Sequence, residues 1–344
     1  TSKTIKTNAG NIDITANTGD VINDIEISNA GTGDISVTAG KGITNKNLIS
    51  NANGNITMNA GAGSVITKDL VTTTGNITVL AKQEIVNKNL VNTNAGTIAL
   101  ATNENITNNG NVQIASGHVA FEAGENLTNS GNISSTDGNV LLFAGNKILN
   151  SEANTSVEAG QNVIMFIADE GLENYGNIEA GTLTGTSQGS VVMGDFSDFV
   201  VGGTVASESF ISAETFALID TLLTGYADAI KGYESTGKFI NTGNVVAHKG
   251  WVYFSTAGES MENSGVLLSQ GGNAYLGCDG IITNSGSIKA EDQNVAIAAN
   301  GIMNYATIEA QKSAFLLSTA DIYNGKDIAS ATPSTDIHIY AGDD

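Results

Sequence analysis

GNITMNA (54–60), GNITVLA (75–81), GTIALAT (96–102), GHVAFEA (117–123) and GNVLLFA (138–144) repeat one short apolar pattern at a constant interval. From Ile35 through Ile56, Ile77, Ile98 and Val119 to Val140 each step is 21 residues. The pattern begins earlier as GNIDITA (10–16) and GDISVTA (33–39). It returns later as QNVIMFIA (161–168), GSVVMG (189–194), GWVYFST (250–256), GNAYLG (272–277), QNVAIAA (293–299), SAFLLST (313–319) and TDIHIYA (335–341). A second motif is interleaved with the first, as in ITNKNLISN (43–51), IVNKNLVNT (85–93), ITNNGNVQI (106–114), LTNSGNISS (127–135) and FINTGNVVA (239–247). Its Asn falls at 87, 108, 129 and 150, again at steps of 21. Two motifs with one shared period define a single structural unit.

Each unit holds two or three short stretches with apolar alternation, separated by Gly and Asn. Alternation is the strand signature, and Gly or Asn at the breaks points to turns with positive φ. A helix needs about ten residues between breakers, which the repeat region never offers. Short strands at a fixed step fit a parallel β-helix better than a sandwich, whose strands pair antiparallel at less regular spacing. The expected fold is therefore all-β, a right-handed parallel β-helix of about fifteen coils of about 21 residues, spanning 1–344 as one domain. Coils stack at about 4.8 Å, so equivalent side chains form columns. Ile56, Ile77, Ile98, Val119, Val140 and Val163 should point inward, thickened by Phe121, Phe143, Phe166 and Phe254. Asn87, Asn108, Asn129 and Asn150 should form a structural ladder of amide hydrogen bonds, held in left-handed turns.

The period fails over 195–236, although SFISAETFALI (209–219) still resembles a coil. Within this insertion Leu222, Tyr226, Ile230 and Tyr233 lie on one face of a short helix, expected to rest on the outside of the stack.

Composition limits the functions available. Lys and Arg number 14, all of them Lys, against 35 acids, for a net charge of −21. Such a surface repels nucleic acid and anionic lipid, and keeps a large stacked protein soluble. No apolar run of about 18 residues spans a membrane. Cys278 is the only cysteine, so no internal disulfide forms. The first residues, TSKTIKTNAG, contain neither an initiator Met nor an apolar leader, which fits a processed chain or a segment of a longer one.

Neither catalysis nor a cofactor is expected. The absence of Arg removes a common base of polysaccharide lyases, and acids adjacent in sequence, such as Asp195 with Asp198 or Glu291 with Asp292, have no matching acids one coil away. His118, His248 and His338 occupy different repeat positions, so they form no metal cluster. The many N-x-[ST] sequons arise from the repeat itself. Aromatic side chains are the candidate ligand contacts: Tyr175 and Tyr305 replace the small residue of the N-[ST]-G turn, and Trp251, Tyr253 and Tyr275 lie close in sequence. Aromatic platforms of this kind stack on sugars, so surface glycans are one expected partner.

The alternation of GNITMNAG (54–61) with LTNSGNISS (127–135) resembles the repeats of filamentous haemagglutinin-type exoproteins, the adhesins of two-partner secretion. That resemblance implies a β-helix shaft on a bacterial cell surface, secreted and extracellular, in contact with neighbouring domains of a longer chain. One competing expectation is a self-assembling filament or surface-layer subunit that meets other copies of itself end to end. Another is a carbohydrate-active β-helix enzyme with a groove flanked by Asp195, Asp198 and Glu234.

Overall fold

The computed structural model describes residues 4–160, 164–168, 170–181, 191–193, 200–201, 204–205, 237–258, 260–331 and 336–342. The protein is an all-β parallel solenoid of about 13 turns, with no helix among the described residues. Two compact units are present, one built on Thr1–Gly145 and the other on Asn146–Ser212 with Gly232–Asp344.

In the first unit every coil contributes three strands to three parallel ladders. The first ladder contains Ile12–Ala16, Ile35–Ala39, Ile56–Ala60 and Ile77–Ala81. The second contains Val21–Asn23, Ile43–Asn45, Val65–Thr67, Ile85–Asn87, Ile106–Asn108 and Leu127–Asn129. The third contains Glu26–Asn29, Leu48–Asn51 and Asp69–Thr74. In Leu90–Thr102 and Asn111–Ala123 the third and first strands merge into one continuous strand. Ile35, Ile56, Ile77, Ile98, Val119 and Val140 stand in register and are fully buried, as their spacing predicts. β-branched side chains suit this column because their stiff rotamers pack on identical neighbours.

The second unit repeats the plan with less regular steps. Its second ladder runs through Ile148, Leu172, Phe239, Met261, Ile282, Ile302 and Ile322. Leu172 pairs directly with Phe239 across 67 residues of sequence, so the stack passes from one coil to the next without a coil between them. The coil-like segment 209–219 falls in sequence within that 67-residue step, and the turns number about 13 rather than the expected fifteen. That segment, Val163 and the helical face of Leu222, Tyr226, Ile230 and Tyr233 lie outside the described residues. Within 195–236 the described residues form a short antiparallel pair, Val200–Val201 with Thr204–Val205.

Phe121, Phe166 and Phe254 sit inside the coils, and Phe254 stacks on Phe239 at 4.1 Å. Phe143 departs from expectation. It pairs in register with Glu122, one position out of phase with the inward Phe121, and so projects outward. It is nevertheless buried, together with the outward-facing Ala99, Ala101, Ala120 and Leu141.

Candidate functional site

The last position of each second-ladder strand points inward and carries the Asn column. In the first unit Asn23 Nδ2 donates to Asn45 Oδ1 at 2.7 Å, Asn87 to Asn108 at 2.7 Å and Asn108 to Asn129 at 2.8 Å. In the second unit the chain of donors is longer, from Asn150 through Asn174, Asn241, Asn263, Asn284 and Asn304 to Asn324, at 2.7 to 2.9 Å. The expected left-handed backbone is not found: among the described residues only glycines have positive φ. The Asn side chain turns the chain instead. Asn174 Oδ1 accepts the N–H of Gly176 at 3.2 Å, and Asn87 Oδ1 that of Asn89 at 3.3 Å, an Asx turn that leaves φ negative.

Thr67 interrupts the column. It lies in register with Asn87, one coil on from Asn45, and its buried Oγ1 has no hydrogen-bond partner. Thr67→Asn is expected to join the two segments and raise unfolding free energy by about 1 kcal/mol, because each amide gains a buried partner. Urea unfolding of the two proteins measures the difference.

A second polar ladder explains the Asn of the GNI motif. Asn11 Oδ1 accepts the N–H of Asp34 at 3.0 Å, Asp34 that of Asn55 at 2.8 Å, Asn55 that of Asn76 at 2.9 Å and Asn76 that of Thr97 at 2.8 Å. His118 occupies the same position, its Nδ1 accepting the N–H of Asn139 at 3.0 Å. An amide N–H can only donate, so Nδ1 is unprotonated, and burial lowers the pKa of the ring. His248 pairs with Gln270 and Glu179, while His338 stacks on Phe315. Among the described residues no three His, Cys, Asp or Glu side chains converge on a metal position.

Glu122 is the one strongly perturbed acid among the described residues, 4% exposed, with Oε2 lacking a partner. Burial pushes its pKa up to about 7. A raised folded pKa means stability is full below pH 4.5 and falls as pH rises through 7, by about 3 kcal/mol at 1.36 kcal/mol per unit. Glu122→Gln should flatten that slope, as thermal melts between pH 4.5 and 8 would show.

The outward columns of the first ladder in the second unit border an open concavity. One column reads Tyr253, Tyr275, Ala296, Phe315, His338, and the adjacent one reads Ser255, Gly277, Ala298, Leu317, Tyr340. In the first column Ala296 lies between Tyr275 and Phe315, and in the second Ser255, Gly277 and Ala298 precede the bulkier Leu317 and Tyr340. An open pocket of about 650 Å³ results, lined by Ser255, Tyr275, Gly277, Asp279, Ala298 and Asn300 among others. Tyr253 and Tyr275 stack at 4.8 Å and 15°, and Phe315 and His338 at 4.9 Å and 4°. Tyr275 lies over Gly277, where a Cβ would crowd its phenol ring. On the rim Thr319 Oγ1 donates to Asn300 Oδ1 at 2.8 Å. Cys278 is buried at the edge of the pocket, and burial raises its thiol pKa.

Of the aromatic candidates, the structure joins Tyr253 and Tyr275 and separates the others. Trp251 is half-buried against Gly272 in the turn before its strand. Tyr175 and Tyr305 follow Asn174 and Asn304, which are four coils apart in the Asn column. Tyr175 contacts Glu173, and Tyr305 packs beside Tyr323 at 5.2 Å. Phe315, Asn300 and Asp279 are additions that only the register reveals. Asp195, Asp198 and Glu234 lie outside the described residues.

The fold defines the class, a parallel β-solenoid repeat protein. No known family model, curated protein or solved structure matches the chain.

Proposed function

We propose that this protein is a non-catalytic structural and adhesive shaft of a bacterial surface protein, secreted and extracellular, of the filamentous haemagglutinin type. The observation that carries this reading is the use of its buried polar groups. The inward Asn side chains are engaged coil to coil, the GNI Asn side chains bind the next backbone, and the inner faces are apolar. A sequence whose repeated residues all serve stacking is suited to extension, with outward positions left to vary for contact. Strong negative charge favours solubility at high surface density. The repeat motifs GNITMNAG (54–61) and LTNSGNISS (127–135) support the family assignment by resemblance.

Protease shaving of intact source cells, followed by immunodetection of this chain, tests the reading. Loss of the chain while cytoplasmic markers survive is the expected result, and full protection would overturn it.

A second reading, end-to-end assembly, has its own observation. The strand Ile337–Tyr340 presents Ile337, Ile339 and Tyr340 at 44, 51 and 70% exposure. An uncovered strand pairs readily with a following coil or with another copy. Negative-stain microscopy over a concentration series separates the two, since unbranched filaments appear only for the assembling subunit.

A further inference from the structure

The outward face of the first ladder changes character along the first unit. Its early coils present Asp13, Thr15, Ser36, Thr38, Thr57 and Asn59, all polar and at least partly exposed. The same two columns continue as Ala99, Ala101, Ala120, Leu141 and Phe143, all buried. Glu122 lies within this second stretch and is buried with them. An apolar patch of this size on the outer face of a sheet needs a cover. The strands that carry it pack on other strands of the stack, which stand beside and behind these side chains rather than above them. The structure holds one chain, so the cover is part of that chain.

Sequence and shape point to one segment. The compact unit that contains Thr1–Gly145 also takes in Ala213–Lys231, from the stretch where the repeat fails. Ala99, Ala101 and Ala120 make a low floor, bounded by Leu80 on one side and by Leu141 and Phe143 on the other. From Leu80 to Phe143 is three coil steps, about 14 Å. A single helix, about 10 to 12 Å across with its side chains, fits that width. Leu222, Tyr226 and Ile230 recur at four-residue steps, the spacing of one helical face, and bulky side chains of this kind fill the space above small floor residues.

We propose that residues 213–231 dock on this outer face of the first unit and seat Leu222, Tyr226 and Ile230 on the alanine floor. The break in the repeat then has a task, to shield the apolar outer patch from association with other proteins.

Thiol labelling of the whole chain, carrying Cys278→Ala and one added cysteine, tests the proposal. Ala101→Cys is expected to react about a hundredfold more slowly than Asn59→Cys, which lies two coils earlier in the same column. Adding Leu222→Ser, Tyr226→Ser and Ile230→Ser together should bring Ala101→Cys to the rate of Asn59→Cys. In that background the inward-facing Ala123→Cys should stay protected, which shows the stack intact. Fast labelling of Ala101→Cys before the three serine changes would mean that the face is open, and continued protection after them would mean that another part of the chain covers it. Labelling of Ala123→Cys along with Ala101→Cys would make the segment part of the stack rather than its cover. Each of these three results would overturn the proposal.

Discussion

Asn241→Ala is expected to destabilise the second unit by about 3 kcal/mol. Asn241 is fully buried, accepts from Asn174 at 2.9 Å and donates to Asn263 at 2.8 Å. Alanine removes both bonds at once. It leaves Asn263 Oδ1 without its ladder donor and halves what Asn174 Nδ2 donates to, since that group keeps only Gly176 O at 3.1 Å. Each buried polar group stranded in this way costs about 1 to 3 kcal/mol, several times the net value of a satisfied bond. Asn304→Ala, near the last described coils, should cost less, because its neighbour Asn324 is exposed and can turn to water. Urea midpoints of the two variants measure the difference, and equal midpoints would mean that the column contributes nothing through its interior links.

Gly117→Ala is expected to cost about 3 kcal/mol or more in the first unit, through geometry rather than hydrogen bonding. Gly117 has φ +134°, which side-chain-bearing residues rarely adopt, and a Cβ there would fall on the carbonyl oxygen of Gly96 in the preceding coil. Strain in such a region costs about 1 to 3 kcal/mol, and the overlap is additional because backbone on both sides is fixed by strand pairing. The same carbonyl lies in a merged strand of 13 residues, so relief requires prising that strand from its neighbour. Hydrogen exchange at Leu90–Thr102 should accelerate in the variant, and an unchanged exchange rate would show that the turn relaxes freely.

The period of 21 made the coil, its strands and its inward column legible, because hydrophobic alternation and stacking depend on spacing alone. Backbone conformation at the Asn positions did not follow from residue type. Asn tolerates left-handed backbone but equally forms an Asx turn, and only the strand pairing up to Asn87 or Asn174 shows which occurs. Phe143 was misplaced for a related reason: one apolar residue in VLLFA (140–144) looks like another, and its phase against Glu122 decides its direction. The site was half visible. Tyr253 and Tyr275 are near in sequence, but the steps from Tyr275 to Ala296 and on to Phe315 are 21 and 19 residues, so a fixed period does not align them. A pocket lined by residues of successive coils, such as Tyr275, Ala298 and Leu317, needs the register to be seen.

Buried amide columns are the central claim, and exchange of Asn side-chain protons measures them most directly. Asn NH₂ groups in water exchange within seconds to minutes, whereas groups held between coils exchange only when the stack opens. In a deuterium-exchange NMR series on ¹⁵N-labelled protein, the side-chain amides of Asn87, Asn108, Asn174, Asn241, Asn263 and Asn284 should persist for hours while those of exposed Asn8, Asn53 and Asn59 vanish. Loss of all Asn side-chain signals on one fast timescale would contradict the ladder and the stacked solenoid built on it.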